Sequence, residues 1–237
     1  MAAWIEFRGV KSSYLGMFVE QLPARPRAKK RMTDDKVVGR SGTLHTDTGA
    51  WEDVTLQCTL NLANQGRSDV YDWLSGSGDL IFSDDPTKAY HAQAIEQIED
   101  KRRRSAGRDY DTLTVKFTCE PFRYEASPAQ VTVTGGSGTI QPQGTVDADP
   151  WIFVTGSGDV TLTVGGRTVE LSGLTANQTV LIDCDAKMCV LVNSTDTQVA
   201  ITLADGEWPV MSASAATAIA VTGTVSSLVI QPNWRWI

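Results

Sequence analysis

Residue types able to do chemistry are sparse in this chain and poorly grouped for it. Four cysteines (Cys58, Cys119, Cys184 and Cys189) and two histidines (His45 and His91) are its only thiol and imidazole groups. Cys184-x4-Cys189 has the spacing of half a zinc site, but no second Cys or His pair accompanies it. Each cysteine sits in an apolar or alternating run and reads as a reduced, buried thiol. The carboxylate pairs Asp147/Asp149 and Asp183/Asp185 lack the oxygen-ligand spacing of a calcium loop and read as solvated turn formers. Gly135-Gly-Ser-Gly and Gly156-Ser-Gly-Asp invite a phosphate-loop reading. Both lack the following helix and the Lys-Ser/Thr that such a loop needs, so they read as a linker and a turn. With two histidines and no nucleophile elbow, no Ser/His/Asp set presents itself. Glycosidase carboxylates leave no spacing signature, so that class stays open. The reading is a non-enzyme, with no catalytic residue, metal or cofactor assigned.

Charge is the sharper signal. Residues 1–125 hold 18 basic and 19 acidic side chains, whereas residues 126–237 hold 3 and 9. The character changes at Phe117-Thr-Cys-Glu-Pro-Phe-Arg-Tyr124, from a charge-dense part to a Thr/Val/Gly-rich one. Within the first part, Arg25, Arg27, Lys29, Lys30 and Arg31 form one basic cluster, and Lys101, Arg102, Arg103 and Arg104 form another. Neither has aromatic residues interleaved for base stacking, and acidic residues follow both closely. They read as solvated loops, or as loops that dock on an acidic protein partner. The net charge of −7 argues against a general nucleic-acid binder and against docking on an anionic membrane.

Trp151, Trp208, Trp234 and Trp236 could form a sugar-stacking platform, which makes a carbohydrate-binding module the alternative function. Trp151 lies on an alternating segment and reads as core. The apolar C-terminal stretch that holds Trp234 and Trp236 reads as docking on its own domain or on a neighbouring subunit.

The elements that must carry these groups are mostly strands. Residues 51–62 alternate cleanly, with Val54, Leu56, Cys58, Leu60 and Leu62 on one face of a half-buried strand. Residues 3–8, 14–20, 79–83, 89–98 and 112–119 also read as strands, and residues 100–109 as a charged hairpin tip. Residues 22–42, with their prolines and little apolar content, read as an exposed loop or protruding arm. Ser68 can cap a short helix carrying Val70, Trp73 and Leu74, ended by Gly76. From residue 131 onward, short strands alternate with turn signals every eight to twelve residues, the pattern of an antiparallel sandwich. No basic n-region with an apolar h-region opens the sequence, and no apolar run approaches the ~20 residues of a membrane span.

The order of several segments carries a resemblance. Trp4-Ile-Glu-Phe-Arg-Gly-Val-Lys-Ser-Ser comes first, followed by the Pro/basic stretch and Gly39-Arg-Ser-Gly-Thr. Asp69-Val-Tyr-Asp-Trp-Leu-Ser-Gly-Ser-Gly-Asp-Leu-Ile-Phe-Ser-Asp-Asp-Pro and residues 117–124 come next. Gly144-Thr-Val-Asp-Ala-Asp-Pro-Trp-Ile-Phe-Val, Val180-Leu-Ile-Asp-Cys-Asp, Trp208-Pro and Pro232-Asn-Trp close the series. Together they resemble the distal tail (Dit) proteins of bacteriophages with long, non-contractile tails.

The resemblance implies a mainly β protein of two domains. Residues 1–128 would be a tail-tube-like, ring-forming β domain with one short helix, and residues 129–237 a galectin-like antiparallel β-sandwich. It further implies a hexameric ring at the virion's tail tip, assembled in the bacterial host cytoplasm. That ring would join the tail tube to the tip or baseplate, with tail-tube, tail-tip and tape-measure proteins as partners. DNA would pass only through its pore. On this reading Arg25, Arg27, Lys29, Lys30, Arg31, Lys101, Arg102, Arg103, Arg104, Trp234 and Trp236 are the expected subunit or partner contacts.

Overall fold

The computed structural model describes residues 3–62, 67–105, 108–192 and 194–237. The chain is mainly β with one short α-helix, its sheets are antiparallel, and it divides into two compact units. One unit comprises the chain up to Ala126 together with Ile237, and the other runs Ser127–Trp236.

In the first unit β1 (Ile5–Phe7), β2 (Val10–Lys11), β3 (Met17–Gln21), β6 (Val54–Leu62), β7 (Gly78–Phe82), β8 (Asp85–Ser105) and β9 (Arg108–Glu125) form one sheet. The order is β2-β1-β7-β8-β9-β6-β3. The alternation expected for β6 is observed: Val54, Leu56, Cys58, Leu60 and Leu62 are buried, each with a more exposed neighbour between. They meet Ile5, Phe7, Met17, Leu80, Phe82, Val115 and Phe117 in a single apolar core. Helix α1 (Arg67–Trp73) closes that core with Val70 and Trp73, followed by Leu74. The Trp73 indole N–H donates to the Phe7 carbonyl at 2.9 Å, and the two rings meet edge to face. The Ser68 side chain, the expected cap, lies outside the described residues.

Two expectations for this unit change. The expected loop or arm at residues 22–42 contains structure: β4 (Lys30–Asp35) pairs with β5 (Leu44–Trp51) as a separate two-stranded ribbon. Trp51 ends that ribbon rather than opening β6, because Glu52 and Asp53 break the strand between them. The charged segment expected as a hairpin tip is likewise strand from Asp100 to Ser105 and again from Arg108, while residues 106 and 107 lie outside the description.

The second unit is built on three long strands, β12 (Trp151–Val164), β13 (Arg167–Asp183) and β17 (Thr217–Gln231). β14 (Met188–Leu191) and β15 (Ser194–Gln198) continue the sheet beyond β13. β16 (Ile201–Leu203) also pairs with β13, while β10 (Val131–Thr132) and β11 (Ser137–Ile140) pair with β17. The sequence pattern predicts short strands here, with a turn at Gly156, in place of these three long ones. Each is instead continuous and irregular in register. The β12–β17 pairing shifts between Thr155 and Gly156 and again between Ser157 and Val160.

The physical reason lies in two glycines. A Cβ on Gly156 would stand 2.5 Å from the Thr224 carbonyl oxygen, and one on Gly223 would stand 2.4 Å from that of Asp159. The bulge lets two backbones approach where no side chain fits. Both halves of β12 then bury their apolar residues, Ile152 and Val154 before the bulge and Val160, Leu162 and Val164 after it, in one core. Trp151, expected inside, is 37% exposed. All four residues from Trp151 to Val154 are apolar, so alternation alone could not set their phase.

Candidate interaction surface

The β4–β5 ribbon is the part of the first unit that its own core does not explain. Every residue of β4 is exposed, as are the first six of β5. The ribbon rises from a fixed base. Ala28 is buried in the core, and the Glu52 N–H donates to the Lys29 carbonyl at 2.8 Å, closing the two strands. Side-chain pairs hold its register. Lys30 pairs with Asp47 and lies over the Trp51 ring, His45 Nδ1 meets Asp34 at 2.6 Å, and the Thr48 hydroxyl donates to the Arg31 carbonyl. The Lys30 hydrogen bond, aided by the Gly49 N–H, holds the Asp47 carboxyl below its usual range. Six residues of β4 span about 20 Å at strand spacing. The exposed side chains include Met32, Val37, Val38 and Leu44, and Val38 is 101% exposed. An isolated two-stranded ribbon is marginally stable in water, so a solvated ribbon with four exposed apolar side chains is a surface suited to a partner.

The basic residues singled out in the sequence divide. Arg27, Lys29, Lys30 and Arg31 are exposed at the foot and first strand of the ribbon. Arg25 is not available with them: it pairs with Asp84, and its guanidinium lies 4.8 Å from the centre of the Phe82 ring. Arg25 thereby fastens the segment to its own unit. Lys101, Arg102 and Arg103 are exposed near the end of β8, with Lys101 3.6 Å from Glu99. Arg104 follows on the same strand, its side chain outside the described set. Of the two placements expected for the C-terminal tryptophans, Trp234 takes the first: at 3% exposure it belongs to the core of its own unit, while Trp236 is half-buried beside that core. A platform of Trp151, Trp208, Trp234 and Trp236 is therefore not formed. The Lys187 ammonium, 6.0 Å from the Trp208 ring centre, lies over that ring as well.

Sequence reasoning missed the apolar part of the ribbon and the whole of β5. Its signal was weak in Leu44-His-Thr-Asp-Thr-Gly-Ala-Trp51, where Thr46, Thr48 and Trp51 favour a strand, Asp47, Gly49 and Ala50 do not, and no apolar alternation marks the stretch. It missed the open edge of the main sheet as well. β3 pairs only with β6 among the described residues, and it presents Phe18 at 59% exposure beside Tyr14 at 78%.

The thiols are core residues. All four are free and buried, and burial pushes each up to about 12, which suppresses the reactive thiolate. Among the described residues no group of three or more His, Cys, Asp or Glu is placed to hold a metal ion. No described helix is long and apolar enough to cross a membrane.

No protein-family model and no curated protein matches the sequence. Among solved structures, the chain is similar to the Dit protein (gp 19.1) of phage SPP1, whose crystal structure is presented as a paradigm of the hub adsorption apparatus in phages infecting Gram-positive bacteria. The match covers 97% of this chain and 98% of that one, with a TM-score of 0.73 at 15% sequence identity. At that identity the likeness speaks for architecture, and over nearly its whole length this chain has the fold of a phage Dit protein.

Proposed function

We propose that this chain is a structural component of a bacteriophage tail, forming a ring of six copies that joins the distal end of the tail tube to the tail tip. The observation that carries the reading is the end-to-end fold likeness to a phage hub protein, covering both units rather than one shared module. The ribbon and the open β3 edge support it, because a chain that works as an assembly hub needs surfaces left uncovered by its own core. On this reading the partners are other copies of the chain, the tail-tube protein, the tail-tip protein and the tape-measure protein. DNA meets the ring only in passage through its pore, and the site of action is the tip of the virion tail.

Electron microscopy of the purified full chain, alone and mixed with the tail-tube and tail-tip proteins of the same phage, tests the proposal. Six-fold rings, or tubes capped at one end, are expected. A chain that forms no ring and caps no tube in either condition would sink it. An independent check is genomic: a tape-measure gene before this one and a tail-tip gene after it.

A further inference from the structure

The ribbon and the open sheet edge have complementary chemistry. Residues 27–51 carry six basic and three acidic side chains, a net +3; with the whole chain at −7, everything outside the ribbon carries −10. A positively charged arm on an otherwise acidic molecule is attracted to another copy of the same molecule. Four of the large apolar side chains exposed among the described residues, Met32, Val37, Val38 and Leu44, lie within or between the ribbon strands. They need an apolar surface to cover, and in the first unit the two most exposed aromatic rings, Tyr14 and Phe18, flank or occupy β3. Among the described residues β3 pairs only with β6, and it carries the exposed carboxylate Glu20.

We propose that the ribbon of one copy docks along the β3 edge of a second copy. Its apolar side chains cover Tyr14 and Phe18, and its basic foot lies towards acidic groups such as Glu20. The contact is heterologous, arm to edge, so each copy offers one of each surface and successive copies close into a ring when the rotation permits. This inference names the joint of the ring proposed above and rests on that reading for closure, but not for the pairwise contact itself.

The test uses three forms of the full chain. An arm variant carries Arg27→Glu, Lys29→Glu, Arg31→Glu and Val38→Asp, leaving Lys30 and its pair intact. An edge variant carries Phe18→Asp. All these side chains are exposed, and unchanged thermal melting shows that each form folds. Native mass spectrometry and light scattering read the assembly state. Wild type is expected to self-associate, with affinity falling as salt rises. Each variant alone is expected to weaken self-association by about 100-fold or more. An equimolar mixture of the two retains one intact arm and one intact edge, so it should recover a two-chain species and no larger one.

Wild type that stays monomeric at the highest soluble concentration overturns the proposal. So does an arm variant that assembles like wild type, or a mixture that stays monomeric while the single variants do. Rings that persist in the arm variant reject the joint and leave the tail-ring reading standing. A wild-type assembly with another copy number rejects six-fold closure and leaves the joint standing.

Discussion

Gly223→Ala tests how the second unit obtains its core. At φ +104°, Gly223 lies beyond the left-handed well that non-glycine residues occasionally enter. Holding alanine there costs about 1–3 kcal/mol of backbone strain. The added methyl would also lie 2.4 Å from the Asp159 carbonyl oxygen and 3.1 Å from the Val160 Cα, both backbone atoms of the neighbouring strand. Relieving that overlap moves β12 at the bulge, an overpacking cost of about 1–3 kcal/mol. The sum, ~2–6 kcal/mol, is a large fraction of the 5–15 kcal/mol that holds an ordinary domain folded.

Gly158→Ala is the control. Its φ is +71° and an added Cβ would meet nothing within 4 Å, so only the conformational cost of about 1–2 kcal/mol applies. Urea denaturation of the full chain, followed by tryptophan fluorescence and extrapolated linearly, reads both. Gly223→Ala should lose at least ~1 kcal/mol more than Gly158→Ala. Equal losses would show that close strand approach is not what requires glycine at residue 223, and the account of the bulge would fail.

Three further outcomes follow from particular contacts. Arg25→Ala should lower stability by about 1–2 kcal/mol, through loss of the Asp84 pair and the Phe82 ring contact, since the side chain is largely enclosed; melting of the purified variant checks it, and no change in stability would return Arg25 to the set of free basic residues. Trp73→Phe should cost about 1–3 kcal/mol by leaving the buried Phe7 carbonyl without its 2.9 Å donor, measured by the same denaturation. The four thiols should resist alkylation at pH 8 in the folded chain and react on unfolding. Because burial raises each from 9.0 to about 12, their contribution to stability is complete below pH 9 and is lost as pH climbs towards 12. Replacing Cys58 with alanine should flatten part of that alkaline decline, and an unchanged slope would contradict the assignment.

Much of the first unit's core could be read directly, because β6 alternates apolar and polar residues and helix α1 places Val70, Trp73 and Leu74 on one face. Legibility failed where one residue type serves two geometries. Gly156-Ser-Gly-Asp has the composition of a tight turn, yet a bulge inside a continuous strand asks for the same glycines. Trp151-Ile-Phe-Val had the opposite weakness, since an all-apolar run has no polar phase to show which side faces in. The ribbon failed for a third reason. Pattern reading finds strands through burial, and β4 has no buried face. Arg25 and Arg27 are two residues apart with the same charge, but one is enclosed by Phe82 and Asp84 while the other faces solvent. Only tertiary packing separates them.

That separation bears on how the ribbon would work. Between Arg25 and Lys29 the chain passes from fastened to free: Arg25 and Ala28 are held by the first unit, and the Glu52–Lys29 backbone bond closes the base. Beyond that point the pairing of β4 with β5, the Lys30–Asp47 pair and the His45–Asp34 contact hold the ribbon in register without help from a core. A disordered arm of the same composition would have to be ordered on docking, at about 1–2 kcal/mol for each residue's backbone. A ribbon already paired along most of β4 and β5 has met much of that cost before a partner arrives. Its apolar and basic side chains then add to affinity instead of offsetting lost entropy. Replacing Asp47 with asparagine would therefore weaken docking although Asp47 itself lies outside the proposed contact; an affinity unchanged by that substitution, with the ribbon's backbone NMR shifts showing it loosened, would separate docking from preorganisation.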